Sequence, residues 1–163
     1  MVKLLRVDDR LIHGQVAFAW TSFVGADAIL IPSDSVAMNS FRMMALKIAA
    51  PPNVALEIKS VADGAAYLAD PGSQGKNVFV VCENISDAHR LCGLWDGIRR
   101  VCVGGARQRT SETKQVDKQV NLTPGDMEKL RELEGRGVEV FAQDVPTTNP
   151  VPFRRMEEIF ARK

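Results

Sequence analysis

The densest run of reactive side chains in this sequence is Arg6-Val7-Asp8-Asp9-Arg10-Leu11-Ile12-His13-Gly14-Gln15. It sets carboxylates, guanidiniums and an imidazole within one short stretch of chain. Cationic Arg6 and Arg10 disfavour imidazolium, as does the positive end of a helix beginning just after His13, while Asp8 and Asp9 act in the opposite direction. A neutral histidine among guanidiniums and free N–H donors suits one reaction especially. It accepts a phosphoryl group as a covalent phosphohistidine, whose new negative charge the same donors stabilise. Each residue also has a plainer reading. His13 would then be an ordinary residue near a helix start, Asp9 a helix cap, Gly14 a turn residue, and an Arg-Asp pair a surface ion pair worth about 0–1 kcal/mol.

Such a cluster works only if the chain holds it in place, and the surrounding pattern says how. Short apolar runs at residues 2–7, 26–31, 54–58, 78–82, 100–103 and 138–142 alternate with amphipathic stretches, the signature of βαβ units. The runs are apolar nearly throughout, as when both sheet faces are covered. The fold class expected is α/β, a single domain over residues 1–163 with a mostly parallel central sheet and helices on both faces. A shorter strand is expected near residues 115–120, diluted by Gln and Lys. Parallel sheets place ligands beyond the carboxyl ends of their strands, and the polar run leaves the first strand at such an end. His13 then precedes the helix carrying Val16, Trp20 and Phe23, whose free N–H groups make an anion cradle. Trp20 reads as core.

A second stripe, Ala37, Phe41, Met44 and Ile48, has helical spacing and is expected to face the core, like the first. Ser60 with Asp63, and Thr123 with Pro124 and Asp126, read as helix starts. The latter helix continues through Met127, Leu130 and Leu133 and ends at Gly135 or Gly137. Pro146, Pro150 and Pro152 break the following segment into a loop. Phe153, Met156, Ile159 and Phe160 then outline a docking helix.

Composition narrows the function classes. Lys and Arg total 21 against 20 Asp and Glu, a net charge of +1, so no whole-protein field draws the chain to nucleic acid or anionic lipid. Lys114, Lys118 and Arg131 lack interleaved aromatic residues that could stack bases. Cys82, Cys92 and Cys102 are too few and too scattered for a disulfide framework or a zinc knuckle, and read as buried reduced thiols. Charged residues appear by Arg6, before an apolar leader could develop, which points to a reducing cytoplasm. His89, beside Arg90, Leu91 and Leu94, reads as a surface residue.

The run Arg6 to Val16, followed by Trp20, resembles the active-site signature of the mannose/sorbose-family IIB component of the bacterial phosphoenolpyruvate-dependent sugar phosphotransferase system. The likeness extends through Ser33-Asp34-Ser35-Val36-Ala37, Ala50-Pro51-Pro52 and Val103-Gly104-Gly105. It implies a domain that takes a phosphoryl group from a IIA protein and passes it to a sugar carried through a IIC/IID permease. His13 matches the accepting histidine and Arg10 the arginine that contacts the phosphoryl group. Arg6 and Asp8 belong to the same motif, Gly14 and Gln15 support the loop, and Gly104 and Gly105 could line the crevice with backbone N–H groups. No metal or cofactor is required, because arginines and amides can carry the migrating charge. The location implied is cytoplasmic, or peripheral at the inner membrane face through the permease.

One segment departs from the family pattern. Cys82-Glu83-Asn84-Ile85 stands where a Lys-Asn-Pro type turn is expected, and Glu83 puts a negative charge there. The competing reading is a regulatory or binding protein of the same fold that docks IIA-like partners without phosphorylating sugar. A nucleotide- or sugar-phosphate-binding domain is a third, and it would need a glycine-rich loop after the first strand, where this chain has Asp-Asp-Arg. An apolar rim of Leu11, Ile12 and Phe18 is expected around the loop.

Overall fold

The computed structural model describes residues 1–162, apart from the side chain of Gln15. In chain order the elements are β1 (Val2–Asp8), α1 (Gly14–Val24), β2 (Ala28–Pro32), α2 (Asp34–Ala37), α3 (Ser40–Ala49), β3 (Ala55–Lys59), α4 (Val61–Ala69), α5 (Pro71–Gln74) and β4 (Val78–Cys82). There follow α6 (Ile85–Leu94), β5 (Arg100–Gly105), β6 (Lys114–Asp117), β7 (Val120–Leu122), α7 (Pro124–Gly135), β8 (Glu139–Ala142), β9 (Val151–Pro152) and α8 (Phe153–Arg162). This is the α/β architecture expected from the alternating pattern.

Seven strands form one sheet in the order β3-β2-β4-β1-β5-β8-β9, parallel except for β9 against β8. β1 lies in the middle. The connection from β1 to β2 steps over β4 in one direction, and that from β4 to β5 steps over β1 in the other. Connections that diverge like this open a crevice beyond the carboxyl ends of the central strands. One face of the sheet packs Leu4, Ile29, Phe79 and Cys102 against Trp20 of α1 and Leu46 of α3. The other packs Leu5, Val80 and Val101 against Leu68 of α4, Leu91 of α6, Leu130 of α7 and Met156 of α8. Covered on both faces, β2 and β4 are buried along their whole length, which is why they read as unbroken apolar runs.

The helix starts fall where the side-chain oxygens place them. The Ser60 hydroxyl accepts from the Asp63 N–H, and Thr123 and Asp126 form a reciprocal capping box at α7. Four expectations need correction. The stripe from Ala37 to Ile48 is not one helix, because Asn39 accepts from the Arg42 N–H and starts α3 afresh. Nor does it face the core. Leu46 and Met43 take the inward side of α3, leaving Phe41, Met44 and Ile48 exposed. In α1, Trp20 is buried as expected, but Phe23 is exposed. Residues 115–120 do not form one strand; β6 and β7 pair antiparallel as a two-stranded sheet. Within the proline-broken segment, Val151 and Pro152 add the short strand β9 at the sheet edge, a position that tolerates a residue without an N–H.

Candidate active site

β1 runs one residue past the expected boundary, so Asp8 joins Arg6 as a strand residue. Alternation along the strand sends both toward the face covered by α1, while Val7 points into the opposite core. The chain then turns sharply. The Leu11 N–H donates to the Asp8 carbonyl at 2.9 Å, and Leu11 adopts φ +58, a left-handed conformation that costs a non-glycine residue about 1–2 kcal/mol. Leu11 and Ile12 repay that strain by burying their side chains under the loop. His13 is the N-cap of α1 with extended backbone, and its side chain makes no capping bond. Gly14 follows with φ +45 at the head of the helix. The positive end of α1 is therefore left without an acidic side chain in its first turn.

Asp8 is the centre of the arrangement. Its Oδ1 accepts from the Arg10 backbone N–H at 3.0 Å and from Arg10 Nε at 3.4 Å. Its Oδ2 lies 3.1 Å from His13 Nε2 and accepts from Arg6 Nη2 at 3.3 Å. The Arg6 and Asp8 side chains are only 3% and 1% exposed, whereas His13 and Arg10 reach the surface. Burial works to raise the Asp8 carboxyl, but the Arg10 N–H, the Arg6 charge and the His13 hydrogen bond outweigh it and hold the group below its ordinary 3.8. An ionised carboxylate only accepts, so His13 Nε2 carries the proton. In the neutral ring the free lone pair then sits on Nδ1.

Arg6 is itself anchored. Nη1 donates to the Gln143 carbonyl and Nη2 to the Asp144 carbonyl, both at 2.8 Å, and the guanidinium carbon lies 4.9 Å from the Trp20 ring centroid. Trp20 Nε1 donates to the same Asp144 carbonyl at 3.0 Å. Nothing in the sequence pointed to Gln143 and Asp144, because backbone carbonyls carry no side-chain signature. Cys102, near Arg6 Nη1, is a thiol that burial pushes up to about 11 in spite of that cation. Burial likewise raises Cys92 to about 11 and Cys82 well above the usual thiol range.

The glycines fall into place differently from the expectation. A Cβ on Gly104 would lie 1.9 Å from the Arg6 guanidinium carbon, and one on Gly105 2.7 Å from Asp8 Oδ1. They leave room for the two buried charges rather than lining the crevice. The Gly105 carbonyl also accepts from the Asp9 N–H at 3.0 Å. Asp9 caps no helix; it grips Arg107 through its backbone N–H at 2.9 Å and its guanidinium at 2.7 Å. The expected rim of Leu11, Ile12 and Phe18 survives only in Phe18, since Leu11 and Ile12 are each 5% exposed. The role expected of Gln15 falls on a side chain outside the described residues. Glu83 pairs with Arg42 of α3, and Asn84 caps α6 by accepting from the Asp87 N–H. His89 is half-buried and binds Glu132 at 2.6 Å, away from this cluster.

Fold and site together define a parallel α/β domain that presents one carboxylate-bound histidine at the head of a helix. Among solved structures it is similar to the IIBSor domain of the sorbose permease from Klebsiella pneumoniae, with a TM-score of 0.91 at 31% identity over 97% of each chain. Residues 2–163 match the family model described as the PTS system sorbose subfamily IIB component, and the chain belongs to that family. The sorbose-specific EIIB component of Lacticaseibacillus casei is 32% identical over 164 residues, covering 100% of this chain and 99% of that one. The mannose-specific EIIAB component of Escherichia coli K12 is 35% identical over 147 residues, 90% of this chain but 45% of that protein. The chain thus spans about half the length of that relative.

Proposed function

We propose that this chain is a cytoplasmic phosphoryl relay, accepting a phosphoryl group on His13 from a IIA protein and donating it to a sugar taken up through a IIC/IID permease. The observation that carries the reading is the bond between His13 Nε2 and the ionised Asp8 carboxylate at 3.1 Å, which leaves Nδ1 as the nucleophile. Nδ1 attacks phosphorus as the donor's P–N bond breaks, and the donor imidazole leaves with the electron pair of that bond. The ring of His13 then carries a phosphoryl group on Nδ1, a proton on Nε2 and a positive charge, which Asp8 stabilises in place. Arg10 and the free N–H groups of α1 are the donors available to the phosphoryl oxygens. In the second transfer a sugar hydroxyl attacks, P–O forms as P–N breaks, the hydroxyl proton passes to solvent, and His13 returns to its neutral Nε2–H form.

Asp8 works on the reaction through His13, and Arg6 works through Asp8, so both are positioning residues. The test mixes the protein with phosphoenolpyruvate, the upstream relay enzymes and IIA proteins of the mannose/sorbose family. Acid-labile, base-stable phosphate should appear on the wild type and vanish in His13→Gln. Absence of label from the wild type refutes the reading.

A further inference from the structure

The outward face of α3 is built unlike that of a helix that only covers a core. Phe41, Met44 and Ile48 on α3 are 63 to 82% exposed and recur at three- and four-residue spacing, so they form one continuous stripe, and Met38, 90% exposed, precedes it in the link from α2. Isolated exposed apolar residues are ordinary, but a row of three large ones along one helix face marks an interaction surface. Its place in the fold is informative. Ala45 and Ala49, the next positions round the helix, form one wall of a cleft of about 350 Å³, together with Arg42, and the other wall holds Arg10 and Ile12. The stripe therefore runs without a break into the cleft that contains the loop arginine of the candidate site.

Resting on the relay reading, we propose that this stripe is the docking face for the protein that brings the phosphoryl group, a IIA-type phosphohistidine donor. Charge decides between the occupants. The Arg6-Asp8-Arg10 group, whose Arg10 reaches the surface, carries one net positive charge when His13 is neutral, and Lys47 adds another on α3. An arriving phosphohistidine brings a dianion to this cleft, whereas the sugar acceptor brings none. A second copy of the chain docked through this same face would bring the same net positive group toward this one and no dianion to meet it. The area points the same way. A helix of ten residues is about 15 Å long, so its stripe falls short of the roughly 800 Å² per partner of a stable interface and suits a transient encounter.

The test is rapid-quench transfer from whichever phosphorylated IIA protein of the mannose/sorbose family labels the wild type fastest. Phe41→Asp/Met44→Asp is compared with Leu94→Asp, which places a charge at an exposed site on α6 across the sheet. The α3 variant should lose at least tenfold in second-order rate constant while keeping the wild-type rate at saturating donor. Chemical labelling of His13 by phosphoramidate should be unchanged in all three proteins. Equal second-order rates in wild type and the α3 variant overturn the docking face but leave the relay intact; no label on the wild type from any donor overturns the relay itself. A wild-type dimer in sedimentation that the α3 substitutions dissociate, or flotation with anionic vesicles that they abolish, assigns the stripe to a second copy or to a membrane and also overturns the proposal.

Discussion

Replacing Asp8 with asparagine changes one atom, yet it should reverse the chemistry of His13. The amide has one acceptor where the carboxylate has two, so one side must donate. If the amide nitrogen took the Oδ1 place it would confront two donors of Arg10, one of them a backbone N–H that cannot turn away. In the Oδ2 place it confronts Arg6 Nη2, which keeps the Asp144 carbonyl, and His13, the one partner that can become an acceptor by moving a proton. The oxygen therefore stays on Arg10 and the amide N–H faces His13 Nε2. The ring proton shifts to Nδ1, and the lone pair moves to Nε2, where the amide N–H occupies it. A wrong tautomer of this kind costs on the order of 10⁴-fold in a catalytic triad, and a loss of that order is expected in transfer to His13. The buried Arg6 guanidinium also loses its counter-charge, worth about 3 kcal/mol at the low end of the range for breaking a buried pair, because its two carbonyl bonds remain. Rapid-quench transfer, thermal melting and ¹⁵N shifts of the His13 ring measure the three effects separately. Near-native transfer by a folded Asp8→Asn protein, or a wild-type ring protonated on Nδ1, would refute the reasoning.

Arg10→Ala should slow transfer by about 10² to 10³, the loss typical of one well-placed donor, and Arg10→Lys by less, since it keeps the charge but loses the planar fork; a loss no larger than the ~1 kcal/mol of a surface ion pair would show Arg10 to be idle. Gly104→Ala forces a methyl group into the Arg6 guanidinium and should lower the melting temperature and the transfer rate together, whereas Gly14→Ala meets open space and should cost only the ~1–2 kcal/mol of its positive φ. Because Asp8 is held below 3.8 in the fold, its contribution to stability is present above about pH 3.8 and is lost as pH falls through the lower folded value. Acid titration of the melting temperature should therefore show a drop below pH 3.8 that is missing in Asp8→Asn; a curve that the substitution leaves unchanged would contradict the assignment.

Local chemistry made much of this molecule legible from its residues alone. The parallel α/β class followed from apolar runs alternating with amphipathic stretches, and the caps at Ser60 and Thr123 from the hydroxyl that must satisfy free N–H groups at a helix start. His13 could be placed just before a helix because the polar run ended where helical spacing began. These are short-range effects, settled within a turn or a strand.

Tertiary structure decided what each of those residues touches. No spacing rule showed that Arg6 would be buried on the Gln143 and Asp144 carbonyls, 137 and 138 residues away. Equally hidden was that Gly104 and Gly105 would serve by lacking a side chain beside Arg6 and Asp8, which depends on the β1–β5 register. Asp9 could have capped a helix on local grounds, but strand pairing set it against Arg107 instead. The α3 stripe shows the limit most plainly. Helical periodicity says which residues share a face, but not which way the face turns, because that depends on which side of the helix the sheet already occupies. Here Leu46 and Met43 took the sheet side, and the larger stripe of Phe41, Met44 and Ile48 was left outside.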